Sequence, residues 1–256
     1  MPHAISSDDT KIYYEVHGSG PAVAFVHGSG GHHAAWWQQV PALSDRYTVV
    51  TLDLRGFGRS DPGFDSRAFP DDVLAVLRAA SVGPAVLIGQ SIGAAAALRA
   101  ALRDRDLTAG VVLAHSLGGI DHPDLVARVK ADRAKAEQIP VLDRLLTPAF
   151  REAQPAKTFL FRQMGTFNTA KMADLRNLNV DGPTVDEIRS SGLPICLLAG
   201  ELDAVLSVDT VRAAASLLPE ATVEIVPGAP HSMYWEAPTL FNAAVIRFLE
   251  RVLVSA

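Results

Sequence analysis

Along the chain, short unbroken apolar runs alternate with longer stretches in which apolar residues recur every three or four positions. The first pattern belongs to strands buried on both faces, and the second to helices that cover them. Predicted strands are Lys11–Glu15, Ala22–Val26, Thr48–Leu52, Ala85–Ile88, Val111–Ala114, Ile195–Ala199 and Val223–Val226. Predicted helices are Ala34–Ser44, Asp71–Ala80, Ile92–Arg103, Val208–Leu218 and Pro238–Val252. In the last of these, Leu240, Ala244, Val245, Phe248, Leu249 and Val252 share one face, which should pack on the sheet. The alternation implies an α/β protein with a mostly parallel twisted sheet and helices on both faces.

The rhythm breaks at residues 116–192, where no strand-like run occurs and charged residues mix with isolated aromatics. This stretch reads as a helical insertion lying over the sheet, with residues 1–115 and 193–256 forming the core. Asp121–Ala136 should be its first helix, and Pro140, Pro148, Pro155 and Pro183 should keep the rest short. Its Phe150, Phe159, Leu160, Phe161, Met164, Phe167 and Met172 either line an apolar pocket or form a small core of the insertion.

Composition narrows the function classes. With 48% hydrophobic and 20% charged residues, the chain has the make-up of an ordinary globular protein. A net charge of −5 gives no electrostatic case for nucleic acid or an anionic membrane as partner. No apolar run approaches a membrane span, and no basic-then-apolar leader follows Met1, so a cytoplasmic location is expected. The single cysteine, Cys196, fits a reducing compartment and, inside an apolar run, reads as a buried small hydrophobe.

Candidate chemistry centres on Gly89, Gln90, Ser91, Ile92 and Gly93, wedged between a predicted strand and an alanine-rich predicted helix. Such a strand–turn–helix with small residues around one serine fits either a capped helix start or a nucleophile elbow. A serine hydroxyl needs a base. Of eight histidines, His231 lies just beyond the strand Val223–Val226, at the sheet edge where sites in open α/β sheets form. Asp203 follows the strand Ile195–Ala199 and is placed to orient His231, with Glu201 as the competing acid. A second elbow-like stretch, from Ala114 through His115 and Ser116 to Gly119, has no predicted helix after it; His115 and Ser116 are instead expected to line the pocket.

The order Ser91, Asp203, His231, each after a successive strand, resembles the α/β-hydrolase family. The resemblance extends to His27–Gly31 after the second strand, Asp53–Asp61 after the third, and His231–Pro238. It implies the α/β-hydrolase fold with a helical cap, a Ser91–His231–Asp203 triad, and an oxyanion hole from the amides of Ser29 and Ile92, with Gly30 as the alternative first donor. His27 and the Asp53–Asp61 loop are expected to be structural. Gly30, His115, Ser116, Phe161 and Met233 are the expected substrate contacts. Ala94 departs from the glycine common in that family, which a helix lying slightly further from the strand would absorb. The implied reaction is acyl transfer to water on a small, fairly apolar ester or lactone, needing no metal or organic cofactor. Hydrolysis of a carbon–carbon bond in a diketone is the alternative, although the family branch that does so usually has a tryptophan after its histidine, where this chain has Ser232 and Met233. A third reading is a non-catalytic ligand receptor on the same fold.

Overall fold

Strands that are apolar at every residue have no side to turn to water, and they occupy the middle of the sheet. The computed structural model describes residues 2–253, and its eight strands are β1 (His3–Ile5), β2 (Lys11–His17), β3 (Ala22–Val26), β4 (Thr48–Leu52), β5 (Ala85–Gln90), β6 (Thr108–Ala114), β7 (Ile195–Gly200) and β8 (Thr222–Val226). Their order is β1-β2-β4-β3-β5-β6-β7-β8; the first two pairings are antiparallel and all others parallel. β3, β5 and β7 are buried at every residue.

Alternate residues of each strand enter opposite cores. On one face Ala24, Val26, Leu87, Leu113 and Leu197 pack beneath α2 (Phe69–Ala79) and α3 (Ile92–Arg103). On the other, Val23, Phe25, Ile88, Val112 and Cys196 pack against α11 (Pro238–Leu253). Burial pushes the Cys196 thiol up to about 11, so it is an unreactive thiol in the core. One buried ion pair ties the sheet edge to α2: Arg55, from the loop after β4, donates to both oxygens of Asp72 at 2.7 and 2.6 Å.

Three sequence expectations change. The helix expected at Ala34–Ser44 is a 3-10 turn (His33–Trp36) and a separate α1 (Val40–Leu43), because Pro41 has no N–H to continue the ladder. On α11 the core position belongs to Phe241, fully buried, while Leu240 is exposed. β1 went unpredicted, being only three residues long.

Between β6 and β7 the chain is helical, as expected, through α4 (Pro123–Ala136), α5 (Val141–Leu145), α6 (Pro148–Ala153), α7 (Pro155–Met164) and α8 (Val185–Ser191), with two single-turn 3-10 segments. Its large apolar residues divide. Met164 is buried, Phe150 and Phe161 pack partly on the core, and Phe159 and Phe167 are exposed. α4 is fastened to the core at Asp132, whose Oδ2 accepts from the Ser207 amide, the Ser207 hydroxyl and the Thr210 hydroxyl at 2.7–3.0 Å. Those partners open α9 (Val208–Leu217), which precedes β8.

Candidate active site

Ser91 is the N-cap of α3, and its backbone is forced to φ 53° and ψ −116°. A non-glycine residue there is strained, and the surroundings hold it in place. Its amide donates to the Ala114 carbonyl at 2.9 Å. Glycine is required on either side: a Cβ on Gly89 would lie 2.4 Å from the Ala94 Cα, and one on Gly93 would lie 2.3 Å from the Val26 carbonyl oxygen. The strand and the helix therefore approach as closely as backbones can, and Ala94 fits within that approach, fully buried.

Asp203 is buried and saturated with donors. Its Oδ1 accepts from the amides of Val205 and Leu206 at 2.8 and 3.0 Å. Its Oδ2 accepts from His115 Nδ1 at 2.9 Å, and His231 Nδ1 lies 3.0 Å from both oxygens. Burial works to raise this carboxyl, but the field of His231 and the N–H donors of both imidazoles outweigh it and hold Asp203 well below the usual carboxylate range. Glu201, the competing acid, is exposed and accepts from the Gly228 amide, steadying the loop that carries His231. His115 is buried, at φ 58°, and burial lowers its pKa, so it is a neutral donor. The two imidazoles meet edge to face at 5.5 Å.

Ser91 and His231 line one cavity of about 330 Å³ together with Ser29, Gly30 and Phe161. No direct hydrogen bond joins the two side chains, which meet across that cavity. Among the described residues, the amides of Ser29, Gly30 and Ile92 make no hydrogen bond, so both expected oxyanion donors and the alternative Gly30 are open. Ser91 also borders a second cavity of about 470 Å³, with His115 and Ser116 in its wall. Met233 lines neither. It opens α10 (Met233–Glu236) pointing inward and is fully buried, because that short helix packs its first residues into the core behind the histidine loop.

Some positioning residues escaped the sequence reading. Gln90 is buried beneath Gly28, and its Nε2 is 3.5 Å from the His231 carbonyl. Gln39 and Gln38 donate to the carbonyls of Tyr234 and Trp235, at 2.9 Å each, fixing α10. Among the described residues, two histidine–carboxylate clusters have a spacing compatible with a metal ion, His32–His33–Asp53 and His115–Asp203–His231. In the second, both Nδ1 atoms already face Asp203 as hydrogen-bond donors, and in the first His33 Nδ1 faces Asp53 in the same way.

His27 holds the loop that carries Ser29 and Gly30. Its Nε2 accepts from the Leu54 amide at 3.0 Å, and its Nδ1 donates to the Gly28 carbonyl at 2.8 Å. A proton on Nε2 would set two donors face to face, and burial pushes the imidazole down to about 4. The folded protein therefore resists a proton that the unfolded chain accepts below 6.5. Stability should fall by about 3 kcal/mol as pH drops from 6.5 to 4 on account of this residue. Urea midpoints at pH 7 and 4.5 check this. His27→Gln should show a smaller difference than wild type, and an equal one would refute the assignment.

The chain belongs to the α/β-hydrolase family: residues 21–238 match the model of the α/β hydrolase fold. The 2-(acetamidomethylene)succinate hydrolase of Mesorhizobium japonicum is 28% identical over 251 residues, covering 91% of this chain and 89% of its own. An esterase from the thermophile Thermogutta terrifontis superposes with a TM-score of 0.82 at 24% identity, with 98% of each chain covered, a likeness of fold. The esterase RhEst1 from Rhodococcus sp. gives 0.78 at 25% identity, again over 98% of each chain. The relatives' names agree with a hydrolase.

Proposed function

We propose that the protein is a serine hydrolase that cleaves a small carboxylic ester or lactone through an acyl-enzyme on Ser91. The observation that carries this reading is the strained Ser91 turn, which shares one cavity with His231 and Ser29 and is followed in the chain by the open amide of Ile92. In this scheme His231 takes the Ser91 proton as the hydroxyl oxygen attacks the carbonyl carbon, and the two amides hold the oxyanion. Asp203 keeps the imidazole in the tautomer that leaves Nε2 free to accept, and supports its charge. The same proton then goes to the leaving alcohol. A water, deprotonated by His231, hydrolyses the acyl-enzyme, and the proton returns to Ser91. No step calls for a metal or organic cofactor. Residues 116–192 act as a cap that bounds the pocket.

Covalent trapping tests the nucleophile directly. A fluorophosphonate ester should add once per chain, on Ser91, with loss of turnover of short 4-nitrophenyl esters. Adduct on another residue, or full labelling with turnover intact, would refute the acyl-enzyme. A panel of esters, lactones, N-acyl compounds and diketones then orders the leaving groups.

A further inference from the structure

The larger cavity beside Ser91 has one wall unlike the rest. Ile120, Leu125, Val129 and Leu206 make it apolar, and α4 brings Arg133 into it with Lys130 one turn before and Glu137 one turn after. Arg133 is half-buried and, among the described residues, makes no ion pair or side-chain hydrogen bond. Glu137, exposed at the C-cap of that helix, is the acid that acts on it, and no contact joins them within 4.0 Å; Asp121, the other acid of the lining, is also exposed. Burial lowers the Arg133 pKa, and Glu137 offsets this only in part. The contrast with Arg55 is instructive. That guanidinium is also withdrawn from water, and two carboxylates, Asp72 and Asp8, answer it. A partly dehydrated guanidinium keeps its charge and its five N–H donors, and it binds a carboxylate best when both N–H pairs are engaged.

We propose that this cavity is a subsite for a carboxylate-bearing substrate, in which Arg133 binds the carboxylate and the apolar residues between it and Ser91 take a short aliphatic chain. The proposal rests on Ser91 being the nucleophile. It narrows the substrate class to monoesters of aliphatic dicarboxylic acids and lactones that carry a free carboxylate. Lys130, exposed at the same wall, adds to the attraction without contributing a fixed geometry.

The test compares mono(4-nitrophenyl) adipate with 4-nitrophenyl hexanoate, which has the same six-carbon acyl chain without the terminal charge. The ratio of their kcat/KM values is read in wild type, Arg133→Gln and Arg133→Lys. In Arg133→Gln the ratio should fall about 10- to 100-fold, the scale on which a charge-assisted hydrogen bond acts. Arg133→Lys should fall between the two. Because the readout is a ratio, a general loss of folding or activity cancels. An unchanged ratio in Arg133→Gln overturns the subsite and leaves the hydrolase reading intact. Equal hexanoate turnover by wild type and Ser91→Ala would instead overturn the nucleophile.

Discussion

Ser91→Ala should lower kcat on an activated ester by about a millionfold, the scale on which loss of the nucleophile acts in a serine triad. In the proposed mechanism this hydroxyl forms the covalent bond, and the strained turn at φ 53° would remain to present a methyl group instead. The open amides of Ser29 and Ile92 would be untouched. A residual rate about 10³- to 10⁴-fold above the uncatalysed reaction is therefore expected, since oxyanion donors and binding act without the nucleophile. Single-turnover assays with a sensitive chromogenic ester check both parts. Turnover within tenfold of wild type would place the chemistry elsewhere.

Asp203→Asn should cost about 10⁴-fold in kcat with little effect on folding. An amide would keep its oxygen where the Val205 and Leu206 N–H groups point, at the position of Oδ1. Its NH2 group would then replace Oδ2, where His115 Nδ1 donates at 2.9 Å and His231 Nδ1 lies at 3.0 Å. Donor would meet donor at both rings. Each imidazole must then move its proton to Nε2 or turn away, and a His231 protonated on Nε2 cannot take the Ser91 proton. Steady-state kinetics on the same ester check this, with Glu201→Gln as the comparison. Glu201 serves the Gly228 amide outside the cavity, so its loss should change kcat less than threefold. The reverse order of effects would exchange the roles of the two acids.

How much of this was legible from the chain follows from how local each signal is. The Ser91 turn was readable because strand, glycine, serine, glycine and helix are adjacent in sequence. Asp203 and His231 were readable because each follows an apolar run, and parallel strands carry such loops to one edge. The bond from His115 to Asp203 depends on β6 lying beside β7 and on the backbone at φ 58°, neither of which a spacing encodes. Errors came from single-residue geometry. Successive helix positions differ by about 100°, so reading Leu240 instead of Phe241 as the core residue turned that position away from the sheet. Met233 was misplaced because a four-residue helix gives no periodicity to read. Arg133 carried no signal at all: a charged residue on a charged helix reads as solvated until its neighbours in space are known.

The fastening of α4 at Asp132 has a consequence for how such a protein diversifies. Three hydroxyl and amide donors from the start of α9 fix that helix to the core, one residue away from Arg133. The wall is thus held by groups outside the cavity lining, while Val126, Lys130 and Arg133 line the cavity and take no part in that fastening. Substitution on that face can change what is recognised without loosening the scaffold. In the proposed subsite, selectivity and foldability are written on adjacent faces of one helix, and the exposed positions can drift without dragging the anchoring ones.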